Sequence, residues 1–216
     1  RLAVGLHFNL TEGHGVQPGA TIGSVIAQAY TRSLSAASLR DAWREQLDAF
    51  EDALGMPPDY VDGHQHVHQF AGIREALVQA LQARYGSLGR QMPYLRVSRT
   101  PAGPTDMKAR VIAAMGAKAL EIIAARAGVV RARGLFGIYD FTGDQATFRQ
   151  AMAQWLAQAT PGSIIMCHPA QASEVGDDIG PARVWEHAYL SGADFPQDLA
   201  RAGIALARGQ DALAPR

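Results

Sequence analysis

Apolar positions along this chain follow two alternating rhythms. Short apolar runs bounded by Gly, Pro and polar turns alternate with longer stretches in which apolar residues recur every three or four positions. The first run, residues 2–10, is apolar on both faces and closes on Thr11-Glu12-Gly13-His14-Gly15, as a buried strand does. Residues 22–30 read as a short helix. Residues 38–54 carry Leu39, Trp43, Leu47, Phe50 and Leu54 at helical spacing, with Ser38 as N-cap and Gly55 and Pro57-Pro58 as the stop. A strand over 60–68, a helix over 73–85, a short strand over 94–98 and one long Ala-rich helix over 107–126 follow. Then come a strand over 136–141, a helix over 146–159 and a strand over 163–168. Closing helices over 181–190 and 195–202 and a last strand over 204–207 complete the reading.

Strands separated by helices of this length form parallel βαβ units. No linker, internal repeat or low-complexity tract divides residues 1–216, so one α/β domain is expected. Loops leaving the C-terminal edge of a parallel sheet converge, and chemistry gathers there. Three histidine-bearing segments end or interrupt expected strands: His7, the block from Asp62 to His68, and His168. A strand apolar on both faces should have a neighbour on each side. The chain opens at Arg1 directly inside that run, so sequence upstream of Arg1 is expected.

Composition narrows the partners. The 216 residues suffice for one sizeable core. Twenty basic and twenty acidic residues cancel, which argues against nucleic acid or another polyanion held by bulk electrostatics. Cys167 is the single cysteine, which excludes an internal disulfide framework and a multi-cysteine zinc site and fits a reducing, cytoplasmic location. No apolar run approaches the ~18–20 residues that span a bilayer. No secretory n-region and h-region opens the chain, and no Walker loop, dinucleotide fingerprint or Gly-x-Ser-x-Gly elbow occurs.

The sharpest chemical feature is Asp62-Gly63-His64-Gln65-His66-Val67-His68. In an extended chain Asp62, His64, His66 and His68 would share one face. If the chain turns helical after His64, then His64 and His68 still do. Imidazoles beside a carboxylate suit Zn²⁺ and related divalent ions. A functional site is favoured here over a solvent-facing polar strand end. Which histidines touch metal stays open, because Asp62, His66 and His68 could equally orient a ligand or meet substrate. His7, in an apolar strand, is as readily a hydrogen-bonded core residue as a ligand. His168, after an apolar strand, is placed to donate or accept a proton, the alternative being a ring that caps the loop. Cys167 faces the other way and reads as core. Tyr139 and Asp140 are pocket candidates, whereas Arg99 and Asp177-Asp178 read as solvated surface. His14 and His187 have no metal-like company.

Three segments together resemble the YdjC-like carbohydrate deacetylases. They are Gly5-Leu6-His7-Phe8-Asn9-Leu10-Thr11-Glu12-Gly13, Tyr60-Val61-Asp62-Gly63-His64-Gln65-His66-Val67-His68 and Met166-Cys167-His168-Pro169. Tyr139-Asp140-Phe141 and residues 183–190 fit the same family. It includes chitooligosaccharide deacetylases and a branch associated with hopanoid biosynthesis, to which the Ala-rich helix and the Asp62-Gly63-His64-Gln65-His66 wording lean. The resemblance implies an irregular (β/α) barrel related to the polysaccharide deacetylases. It implies hydrolysis of an N-acetyl group from an amino-sugar-containing oligosaccharide or glycolipid, and one divalent ion (Mg²⁺ or Zn²⁺); a homodimer is a separate expectation. The family's metal histidines fall on His7 and His64, its catalytic acid on His168, and a recurring active-site arginine on Arg96. Family members begin with a strand ending in Asp-Asp-Phe-Gly, the source of the metal aspartate and base. This sequence lacks that motif, so its barrel is expected to lack the first strand, and residues 15–21 are shorter than in the family. The competing readings are a phosphoesterase or amidohydrolase on a similar barrel, and a non-catalytic sugar- or metal-binding domain.

Overall fold

A computed structural model describes residues 2–11, 19–87, 91–101 and 107–213. His14 and most of residues 15–21, where a shorter loop was expected, lie outside these residues. The alternating strand–helix order holds. Strands β1 (Gly5–Phe8), β2 (Tyr60–Gly63) and β3 (Tyr94–Leu95) form one parallel sheet in the order β1-β2-β3. Strands β4 (Gly134–Phe136) and β5 (Ser163–Ile165) form a second parallel pair. A bridge from Leu95 to Arg131 joins the two, with Leu95 N–H donating to Val130 O at 2.9 Å and Ala132 N–H donating to Leu95 O at 2.8 Å.

Among the described residues the sheets do not close on themselves, so an α/β fold with parallel strands is present but a barrel is not found. Among the described residues strand β1 pairs with β2 alone. Its outer flank is uncovered, with Leu2 86% and Val4 40% exposed. Inward, Leu6 and Phe8 are buried, and Phe8 stacks on Trp43.

Helix α1 (Ile22–Thr31) is capped by Thr21, and α2 (Ala36–Leu54) buries Leu39, Trp43 and Leu47 at four-residue spacing. Burying each such side chain stabilises by about 1.5–3 kcal/mol. The N-cap of α2 is Ser35 rather than Ser38, because the Ser38 N–H donates to Ser35 Oγ at 3.3 Å. Helix α3 (Ile73–Tyr85) presents Ile73, Leu77 and Leu81 to the same core. The expected long helix is two, α4 (Met107–Ala114) and α5 (Ala117–Arg126). Gly116 breaks it: its φ is +136°, and a Cβ there would lie 2.1 Å from the Gln69 carbonyl oxygen. Helices α6 (Gln145–Gln158), α7 (Gly180–Ser191) and α8 (Asp194–Ala202) share a smaller core of Phe148, Met152, Leu156 and Tyr189. The last expected strand does not form. Ala205, Leu206 and Ala207 are exposed with no strand to pair with, and the short helix α9 (Gly209–Leu213) follows. Strands 60–68, 94–98 and 163–168 prove shorter than expected, and the strand expected over 136–141 lies earlier, at Gly134–Phe136. No helix of the described residues is long and apolar enough to cross a membrane.

Candidate active site

The parallel register of β1 and β2 sets His7 opposite Asp62. His7 Nδ1–H donates to Asp62 Oδ1 at 2.6 Å, which leaves Nε2 as the ring's remaining nitrogen. His64 directly follows β2, and its ring meets that of His7 edge-on, centroids 5.6 Å apart.

From there the block does not continue as a strand. Residues His64–Gln69 form a tight 3₁₀ segment in which Gln65 (φ 48°) and His66 (φ 62°) adopt left-handed conformations. The expectation that Asp62, His64, His66 and His68 share one face therefore fails. The chain curls, and each imidazole takes a different partner. His64 stays beside His7. His66 Nδ1 lies 2.7 Å from Ser98 Oγ. His68 turns into the core and donates from Nε2 to the Arg96 carbonyl at 2.9 Å. Gly63 makes this curl feasible, since a Cβ there would sit 2.8 Å from His68 Nδ1.

Arg96 underlies the whole cluster. Its side chain is 3% exposed, with Nε 2.8 Å from Asp62 Oδ2 in an ion pair whose angle falls short of a hydrogen bond. Nη2 donates to Gly63 O at 2.8 Å, and Nη1 reaches His66 Nδ1 and Met166 Sδ, each at 3.3 Å. Burial opposes charge on Asp62, but the hydrogen bond from His7 and the Arg96 guanidinium outweigh it and bring its pKa down to about 2. Burial, then Arg96, brings His68 down to about 3 and holds His66 well below the ordinary imidazole value.

His168 approaches from the other sheet, just beyond β5. Its backbone N–H donates to Glu186 Oε2, and Tyr139 O–H donates to Glu186 Oε1 at 2.5 Å. Its carbonyl accepts from Arg183 Nη1 at 3.3 Å, and its ring meets Phe141 edge-on at 5.3 Å. Burial lowers the His168 pKa to about 4, with Arg183, Arg96, His7 and His64 adding to the effect. Arg96 Nη1 also reaches Met166, two residues before His168, so the segment after β5 adjoins the β1–β2 cluster. Burial and the neighbouring Glu186 carboxylate push the Cys167 thiol up to about 12, which fits a core residue rather than a nucleophile.

The structure thus brings together His7, His64, Asp62, Arg96 and His66, and sets the segment that carries His168 beside them. It sets three other candidates apart. His68 is sealed in the core. Tyr139 packs into an aromatic group with Phe141, Phe148 and Trp155 and reaches the site only through Glu186. Asp140 is exposed and pairs with Lys108 at 3.6 Å. Asp177 is not merely solvated, because its carboxylate accepts from Arg183 Nε at 2.7 Å and so helps fix the arginine behind His168. Sequence reasoning missed Glu186 and Ser98. Glu186 carries a weak signal, an acidic residue between Trp185 and Tyr189 on a buried helix face; Ser98 carries none. Among the described residues no group of three or more His, Cys, Asp or Glu side chains is gathered as a full metal cage.

Comparison with known proteins adds to this geometry. Residues 1–201 match the model of the family described as YdjC-like protein. A carbohydrate deacetylase of Mus musculus is 33% identical over 115 residues, 47% of this chain and 34% of that protein. A carbohydrate deacetylase of Homo sapiens is 35% identical over 109 residues, 44% of this chain and 33% of that protein. The matched segment spans about a third of each mammalian relative. A chitooligosaccharide deacetylase of Proteus mirabilis is 26% identical over 222 aligned positions, covering 97% of this chain and 78% of that protein. Among solved structures, a protein provisionally described as a cellobiose-phosphate cleavage protein, from Enterococcus faecalis, shares the fold. Its TM-score is 0.63 at 17% identity, covering 99% of this chain and 78% of that one.

Proposed function

The chain belongs to the YdjC-like protein family, and on that premise we propose that it hydrolyses the N-acetyl group of an amino-sugar-containing oligosaccharide or glycolipid. In this reading one divalent ion, Mg²⁺ or Zn²⁺, is held by His7 and His64. The observation that carries it is the His7–His64 pair. Two rings centred 5.6 Å apart suit imidazoles that share an ion at about 2.0–2.1 Å. The Asp62 carboxylate on His7 Nδ1 is the support that metal-binding histidines ordinarily have. The relatives named as carbohydrate and chitooligosaccharide deacetylases support an N-acetylated glycan as substrate.

When bound, such an ion supplies Lewis acidity at the acetyl carbonyl. Everything else falls to the chain's own residues. Arg96 holds Asp62, and Asp62 holds His7, so Arg96 serves as a positioning residue that acts through a carboxylate. His168, with its pKa near 4, is neutral at rest. It takes the proton of the attacking water and delivers it to the departing amine nitrogen as the C–N bond breaks. The products are acetate and a free amine.

The test is acetate release from N-acetylchitooligosaccharides with Mg²⁺ or Zn²⁺ supplied and then chelated. Acetate and free amine should appear in equal amounts and stop on chelation. A folded, metal-supplied protein that binds these glycans and releases nothing would favour a sugar-binding domain instead.

A further inference from the structure

The block after His64 contains two successive non-glycine residues in the left-handed region, Gln65 (φ 48°, ψ 28°) and His66 (φ 62°, ψ 18°). L-residues adopt that conformation at a cost, and it persists where the surroundings impose it, most often at functional sites. Here it carries the His66 ring against the segment that follows β3. The ring is then fixed from one side. Its Nδ1 lies 3.3 Å from Arg96 Nη1 and 2.7 Å from Ser98 Oγ.

Those two partners determine where the ring proton resides. A guanidinium can only donate and the Ser98 hydroxyl can donate as well, so a lone pair on Nδ1 serves both partners, and that tautomer carries its proton on Nε2. Among the described residues Nε2 has no partner, and the side chain is only half-buried. Its neighbour His68 shows the structural alternative, with its Nε2–H committed to the Arg96 carbonyl and its ring fully buried.

The location gives the unused donor a purpose. The same Arg96 guanidinium touches Asp62, which orients His7, and Met166, which lies two residues before His168. His66 therefore shares a support with the β1–β2 cluster and with the segment that carries His168.

We propose that His66 contacts substrate directly, its Nε2–H donating a hydrogen bond to the acetyl oxygen of the N-acetyl sugar, where negative charge grows as water attacks. This rests on the deacetylase reading above and adds to it a neutral donor that is in place before reaction begins. Such a donor acts mainly on the rate, because its bond strengthens as the oxygen gains charge.

Steady-state acetate release from an N-acetylchitooligosaccharide tests this in His66→Ala and His66→Gln, with melting temperature and bound metal measured alongside. His66→Ala should lower kcat about 10²-fold with KM little changed, the size seen when one oxyanion donor is lost. His66→Gln, which keeps a side-chain N–H, should recover part of that rate. A kcat within a few-fold of wild type, or a rise in KM alone, overturns the inference, as does a loss that tracks metal content. If His66→Ala does not fold, ¹⁵N-histidine spectra of the wild-type protein decide: a protonated Nε2 with bare Nδ1 on His66 is expected, and a protonated Nδ1 overturns it. An inactive wild type would remove the deacetylase reading together with this one, whereas an active wild type matched by His66→Ala removes this one alone.

Discussion

The two parallel sheets hold their histidines in different ways. On the β1–β2 side, His7 is fixed through its side chain by Asp62, and Asp62 is fixed by the buried Arg96. Both charges in that chain are permanent, since the Asp62 pKa lies near 2. On the β5 side, His168 is fixed through its main chain, by its N–H on Glu186 and its carbonyl on Arg183. Burial raises the pKa of Glu186 rather than lowering it, and the Nδ1 of His168 has no partner among the described residues. A ligand ring needs one orientation and one tautomer, so a carboxylate on Nδ1 serves it. A ring that moves protons must change its charge during turnover. Anchoring it by backbone leaves the ring free to titrate.

Mutations on the two sides should therefore fail in different ways, and the largest effects lie closest to the ion. His64→Ala should abolish acetate release at ordinary metal concentration and regain part of it when excess ion is supplied, because lost affinity is opposed by mass action. His168→Ala should keep its metal and lose about 10²–10⁴-fold in kcat, the usual contribution of an acid–base group. Near-normal turnover in His168→Ala, or loss of its metal, would break the contrast. A smaller effect is expected one bond further out. Asp62→Asn should weaken metal binding about 10–100-fold, whereas Glu186→Gln should leave it unchanged and alter only turnover. Equal metal loss in both would show that the two carboxylates do the same work.

The smallest effect is on stability. Burial depresses His68 to about 3, so the folded state disfavours its charged form. Its contribution is fully present above pH ~6.5, the unfolded value, and is lost as pH falls from there towards about 3. Folding free energy should drop by up to ~1.4 kcal/mol per pH unit across that window, and less steeply in His68→Phe. Asp62 does not confuse the test above pH ~4, because its own stabilisation is lost only below its unfolded value. Identical slopes for the two proteins would remove His68 from the account.

Much of this was legible in the sequence, and the exceptions have physical causes. The helices over 22–30, 38–54 and 73–85 were visible because periodic burial is a local signal, repeated along one element. Strand ends were not, since whether a chain continues or curls depends on what lies across from it. The block after Asp62 reads as a strand until Gly63 lets His68 pack beneath it, and that contact is tertiary. The break at Gly116 likewise depends on the Gln69 carbonyl, far away in sequence. The pairing of His7 with Asp62 follows from a strand register that no single segment encodes. Glu186 was hidden for the same reason: a buried carboxylate on a helix is recognised only once the backbone N–H it accepts from is known.

The central claim is that His7 and His64 hold one ion between them. X-ray absorption at the zinc edge of the Zn²⁺-loaded protein tests it most directly, with His7→Ala and His64→Ala measured beside the wild type. Two imidazole nitrogens at about 2.0–2.1 Å are expected in the wild type, with one imidazole fewer in each variant. A wild-type spectrum without two imidazoles, or variants whose spectra match it, would contradict the account.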